Sequence, residues 1–187
     1  MKKVACLLIA LALKSWTASP LHAQGTEVEG CRVDPEVWGL VPSCAMVQQN
    51  GQLFILKELV NSLGEGRWVR VGGRQLAWAA TLTEDFVYFD RSGRIVVAHV
   101  AVFDNGPSPF HSGLVRVSNA GKWGLANSKG EMVVPLEYDG LLEFDEGRWL
   151  ACKACKVVRE AEHSWFEDGE WFALNRHGHS KRIGTAK

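Results

Sequence analysis

Neither sign of charge is in excess in this chain, whose 21 Lys and Arg residues are matched by 21 Asp and Glu. The basic residues are scattered among acidic ones, so the basic field that a DNA or RNA surface needs is missing and no nucleic-acid partner is expected. Long apolar runs are also missing. The strongest, Val4 to Leu13, falls well short of the roughly 20 residues a bilayer-crossing helix takes, so the chain is not expected to span a membrane. Gly-x-Ser-x-Gly, His-Glu-x-x-His and phosphate-cradling glycine motifs do not occur. Without a supported constellation no catalytic residue is assigned, the chain is read as non-enzymatic, and no cofactor is expected.

What is present at the start of the chain points to export. Lys2 and Lys3 precede the apolar run Val4–Leu13, Lys14 closes it, Pro20 breaks any helix, and Ala23 supplies a small residue for cleavage. Residues 1–23 are therefore read as a signal peptide and the product as periplasmic or secreted. Cleavage removes Lys2, Lys3 and Lys14, leaving 18 basic against 21 acidic residues, a net charge of −3. The remainder suits one domain with its own core.

Cys31, Cys44, Cys152 and Cys155 survive such cleavage, and in an oxidising compartment an even number of cysteines reads first as disulfides. Three pairings are open. Cys31–Cys44 and Cys152–Cys155 are favoured because each stays within one local segment. Cys152-Lys-Ala-Cys155 admits two other readings: a zinc site completed by His163, His177 or His179, or a redox pair. A thioredoxin-like site wants its two cysteines at a helix N-terminus, and these lie in a β pattern. Glu162 and His163, with Ser164 and Asp168 nearby, could be read as a hydrolytic set, but the same segment reads better as a polar loop or an added hairpin.

Internal repetition is the strongest signal in the chain. Gly121-Lys-Trp-Gly-Leu-Ala-Asn-Ser-Lys-Gly130 aligns without a gap on Gly169-Glu-Trp-Phe-Ala-Leu-Asn-Arg-His-Gly178, and Phe86 to Gly93 fits the same frame. Each copy is an apolar strand, an Asn/Asp-x-x-Gly turn and a second strand, which is hairpin chemistry. Phe110 to Val117 and Phe144 to Ala151 form a second shared block, each preceded by an aromatic-Asp pair, Phe103-Asp104 or Tyr138-Asp139. A fourth copy begins at Asn50-Gly51 and runs to Val71; its middle predicts a strand at Leu53-Phe-Ile followed by a short helix, with Gly64 a candidate C′ residue. Gly51, Gly93, Gly130 and Gly178 are thus the structural repeat glycines.

At Gly121-Lys-Trp-Gly124, with Gly130 and Tyr138-Asp139, the chain resembles the WG-repeat family of bacterial β-repeat proteins over roughly residues 50–179. The resemblance implies a β-repeat fold and an association with bacterial envelope or secreted proteins, and it implies no reaction. Phe86-Val87 and Trp171-Phe172 replace the Trp-Gly pair in the other copies.

The fold expected is all-β: tandem antiparallel hairpins in an open solenoid, a partial propeller or a barrel-like sheet. Residues 24–49 are expected to form a short N-terminal cap and 50–187 the repeat domain, of about four copies. Trp68, Trp123, Trp149 and Trp171 occupy repeat-equivalent positions and are expected to pack inward, whereas Trp38, Trp78 and Trp165 fall outside the pattern and are the candidate binding surface. The function expected is that of an exported binding scaffold for an unknown envelope protein or glycan. The alternative is a metal- or redox-responsive envelope protein using Cys152 and Cys155.

Overall fold

The repeat glycines are best understood from the turns they close. In a computed structural model, which describes residues 26–32, 41–47, 52–81, 86–103, 106–161 and 163–185, Asp90–Gly93, Asn127–Gly130 and Asn175–Gly178 are the same object. In each, the glycine N–H donates to the carbonyl of the first residue, and that residue's own N–H donates to the carbonyl just after the glycine. The side-chain Oδ1 of Asp90, Asn127 or Asn175 accepts the backbone N–H groups two and four residues on, at 2.9–3.3 Å. The glycines sit at φ of 85, 84 and 78°, the left-handed conformation that ends a three-residue hairpin loop. Gly51 and its turn lie outside the described residues.

Around these turns the chain folds into antiparallel three-stranded meanders. The first comprises β1 (Thr26–Arg32), β2 (Val41–Val47) and β3 (Leu53–Ile55). β1 and β2, which fall within the segment expected as a cap, are strands of the main sheet. A short helix α1 (Lys57–Ser62) and β4 (Val69–Val71) lead to the second meander, β5 (Arg74–Thr81), β6 (Phe86–Asp90) and β7 (Ile95–Val100). The strand-then-helix expectation for 53–63 holds. Gly64 is not a left-handed C′ residue: Leu63 already turns extended and Gly64 has φ −65°, so the helix stops without one.

A small pair, β8 (Val102–Phe103) and β9 (Gly106–Pro107), precedes the third meander of β10 (Leu114–Asn119), β11 (Lys122–Asn127) and β12 (Met132–Tyr138). Then follow β13 (Gly140–Leu141), β14 (Trp149–Lys153), β15 (Lys156–Glu160), β16 (His163–Glu167), β17 (Glu170–Leu174) and β18 (Ser180–Thr185). The fourth meander is β14-β17-β18, with the β15–β16 hairpin set inside it. A ten-stranded sheet runs β12-β11-β10-β7-β6-β5-β1-β2-β3 with β4 on β5, and a four-stranded sheet runs β13-β14-β17-β18. Neither closes on itself.

Meanders pack on their neighbours, and the core is divided accordingly. Ile55, Val60, Trp68 and Phe89 join β3 and α1 to the second meander; Leu76, Tyr88, Val115 and Val117 join the second to the third; Leu114, Leu125, Trp149 and Leu174 join the third to the fourth. Trp68 and Trp149 are buried as expected, while Trp123 and Trp171 are half-buried. Close seating of one meander on the next is set by the turn glycines. A Cβ on Gly93 would meet the carbonyl oxygen of Ile55, one on Gly130 that of Val96, and one on Gly178 that of Val133. Each turn therefore rests on the third strand of the preceding meander.

The Asp90 turn gives a pH test. Partial burial pushes its carboxyl up, but hydrogen bonds from Ser92 and Arg94, and the Arg94 charge, outweigh this and hold it below its ordinary 3.8. A depressed carboxyl stabilises the fold fully above its unfolded value and loses that contribution as pH falls through the folded one. Asp90→Asn keeps the Oδ1 acceptor used at Asn127 and Asn175 but cannot titrate. Urea unfolding at a series of pH values should show the variant within about 1 kcal/mol of the parent at neutral pH, with a smaller loss of stability below about pH 4. Identical acid slopes would contradict this role for Asp90.

Candidate functional site

The fourth meander departs from the others by an insertion into a two-residue turn. Between β10 and β11 the chain reverses through Ala120 and Gly121, at φ of 49 and 74°. Between β14 and β17 the same two positions are Ala154 and Gly169, at 56 and 79°, with Cys155 to Asp168 placed between them. The turn has been opened and a hairpin threaded through it. A Cβ on Gly169 would collide with the backbone of Lys153, Ala154 and Cys155, so only glycine lets the returning chain pass so close to the departing one.

Three contacts fix the base of this hairpin. Cys152, fully buried in β14, is disulfide-bonded to Cys155, the first inserted residue. Asp139 accepts the Ala154 N–H at 2.7 Å and pairs with Lys122 Nζ at 2.5 Å; the Lys122 ammonium and then the Ala154 N–H hold its carboxyl below the ordinary range. Phe166 lies against Gly140, where a Cβ would strike its ring, and meets Trp123 edge-on at 6.0 Å between centroids. Above this base, Val157 and Trp165 are 53% and 37% exposed, with the Trp165 indole N–H donating to Glu167 at 2.6 Å. The result is an exposed aromatic on a short hairpin with a fixed root.

Trp123 and Gly124 also show what the Trp-Gly pair does. The β11–β12 register slips at this point, from Trp123↔Tyr138 to Leu125↔Val134, and the carbonyls of Val134 and Pro135 fold over Gly124 where any side chain would clash. The equivalent pairs Phe86-Val87 and Trp171-Phe172 lie at register slips too. Beneath Trp123 lies Arg116, 7% exposed, its guanidinium 5.7 Å from the indole. Arg116 donates to Ser108 Oγ and to the carbonyls of Leu141 and Val102, and pairs with Glu143. Burial lowers its pKa to about 10. The sequence carries one sign of this residue's burial, its place between Val115 and Val117 in an apolar strand.

Among the described residues singled out from sequence, Cys152 meets Cys155 and His177 lies near His179, and these two pairs are apart from Trp78 and Trp165. Cys31 and Cys44 lie on the paired strands β1 and β2, but their side chains are outside the described residues, as are Trp38, Glu162 and the His163 side chain. His177 and His179 are exposed on the last repeat turn, with ring centroids 6.2 Å apart, and Arg176 donates to His177 Nε2. Among the described residues no three His, Cys, Asp or Glu side chains cluster as metal ligands. Bridged, Cys152 and Cys155 offer a metal no thiolate, so the zinc reading requires the reduced pair. Trp78 is half-buried and packs edge-on to Phe86 at 5.6 Å. Among the described residues, Trp165 is the candidate indole left in solvent.

The disulfide and metal readings make opposite demands. Protein isolated without reductant should yield no alkylatable thiol at Cys152 or Cys155 after denaturation, and EDTA should leave its melting temperature unchanged. Cys152→Ala with Cys155→Ala should lower the unfolding free energy by about 2 kcal/mol and remove amide protection first in β15 and β16. Alkylation of both positions once chelator is added, together with a lowered melting temperature, would instead show a metal-coupled fold.

A family model described as the WG containing repeat matches residues 88–123 and 123–153. No curated protein and no solved structure matches the chain. The two matched segments meet at Trp123 and run from β6 to the end of β14, so they cover the two Asx-x-x-Gly turns at Gly93 and Gly130 and the slip at Gly124. Over residues 88–153 the chain is therefore similar to the WG-containing repeat family.

Proposed function

We propose that this protein is an exported, non-enzymatic scaffold of the bacterial envelope that presents the β15–β16 hairpin to a protein or glycan partner. The observation that carries the reading is the construction of that hairpin: an exposed indole, Trp165, on an insertion whose root is fixed by the Cys152–Cys155 bridge, Asp139 and Phe166. Binding residues are commonly carried on loops held by a rigid frame, and an array of stacked meanders is such a frame. The signal-peptide features of residues 1–23 and a disulfide both suit an oxidising compartment. No helix among the described residues is long and apolar enough to cross a membrane.

Intact-mass measurement on protein from the envelope fraction should find a chain beginning at Gln24. A pull-down from the same fraction should recover a partner with the parent protein and lose most of it with Trp165→Ala, at unchanged melting temperature. A chain retaining Met1 in the cytosolic fraction would overturn the export half of the proposal. Equal recovery by Trp165→Ala would overturn the hairpin half.

A further inference from the structure

The stacking contact made between meanders identifies a surface that no meander in the described chain covers. Val96 and Val133 each lie three residues beyond a turn glycine, and each presents its carbonyl to the glycine of the following meander. In the last meander the residue in that place is Lys181, three beyond Gly178. Among the described residues no glycine abuts it. Around it lies an open cleft of about 230 Å³ lined by Arg148, Ala173, Leu174, Asn175, His179 and Lys181.

The lining residues carry the argument further. By the repeat frame Arg148 stands where the preceding meander has Leu114, and Ala173 where it has Leu125. Leu114 and Leu125 are buried beneath Trp149 and Leu174 of the meander that follows them. The cleft is thus the seat that each earlier meander offers its successor. Its outer border is β18, the last strand of its sheet, exposed along its length and carrying Ile183 at 50% exposure. An edge strand of this kind accepts a further strand through its backbone groups. Arg148 and Lys181 make the seat basic, with Glu146 pairing only Arg148.

We propose that this end of the array binds an Asx-x-x-Gly hairpin of a different β-repeat protein, the turn glycine resting on the Lys181 carbonyl and the strand after the first turn residue running along β18. The basic lining favours Asp at the first turn position, as in Asp90-Arg-Ser-Gly93. The proposal rests on the scaffold reading and adds to it the chemistry of one partner and the place where it sits.

The probe is a cyclised hairpin peptide of residues 122–138 with Asn127→Asp, titrated into isotope-labelled, processed full chain. Saturable amide shifts should appear in 146–150 and 173–183 only, and the peptide carrying Gly130→Ala should bind at least tenfold more weakly. Ser180→Trp, at an exposed position in the cleft, should abolish binding while leaving the melting temperature unchanged. Shifts elsewhere, no saturable shift, or equal binding by the Gly130→Ala peptide would overturn the proposal. So would sedimentation showing that the chain fills the seat with a second copy of itself, in dimers that Ser180→Trp dissociates. Failure of the peptide alongside Trp165-dependent recovery of an envelope partner would remove this inference and leave the scaffold reading standing; a cytosolic, unprocessed chain that still binds the peptide would do the reverse.

Discussion

The fold depends on one repeated close approach, a left-handed turn glycine set against a backbone carbonyl of the meander before it. Gly93 on Ile55, Gly130 on Val96 and Gly178 on Val133 leave no room for a Cβ, and their φ values of 78–85° would strain any other residue. The Asx side chain in front of each glycine shapes the turn, and the turn's shape aims the glycine. Hydrophobic burial supplies most of the stabilisation. The glycine contact decides the register in which it is collected, because a meander held off by one methyl group would separate facing core residues such as Leu125 and Trp149.

Nearest-neighbour stacking explains the polar residues that the core admits. Arg116 reaches Val102 and Ser108 on one side and Leu141 and Glu143 on the other, so its guanidinium ties the links that enter and leave one meander. Removing one partner of such a group leaves buried charge uncompensated, which is why an arginine once inside tends to stay satisfied. The Cys152–Cys155 bridge answers a different problem. An insertion opened in a two-residue turn would loosen the strands it separates, and the bridge closes the break within three residues of β14.

Much of this was legible from residues alone. The Asx-x-x-Gly frame located three equivalent turns, the apolar spacing after Gly51 located β3 and α1, and the proximity of Cys152 to Cys155 favoured their pairing. What could not be read was long-range. The fate of Arg116 follows from both faces of β10 being covered, and that depends on meanders distant in sequence. The threading of Cys155–Asp168 through a turn is visible only when Ala154 and Gly169 are seen at the positions of Ala120 and Gly121. Trp123 was expected in the core by repeat equivalence; it packs at the margin of the core between the third and fourth meanders, half-buried, with Phe166 of the insertion edge-on to it. Whether the sheets stay open depends on how strands far apart in sequence pair, which no local pattern specifies.

Native-state hydrogen exchange on Gly178→Ala reads the stacking contact directly. If the glycine seats the last meander on Val133, the variant should lose protection in β14, β17 and β18 while β5, β6, β7 and β10 keep theirs, since each meander couples chiefly to its neighbours. Unchanged protection in β17 and β18, or an equal loss through every strand of the ten-stranded sheet, would contradict the account.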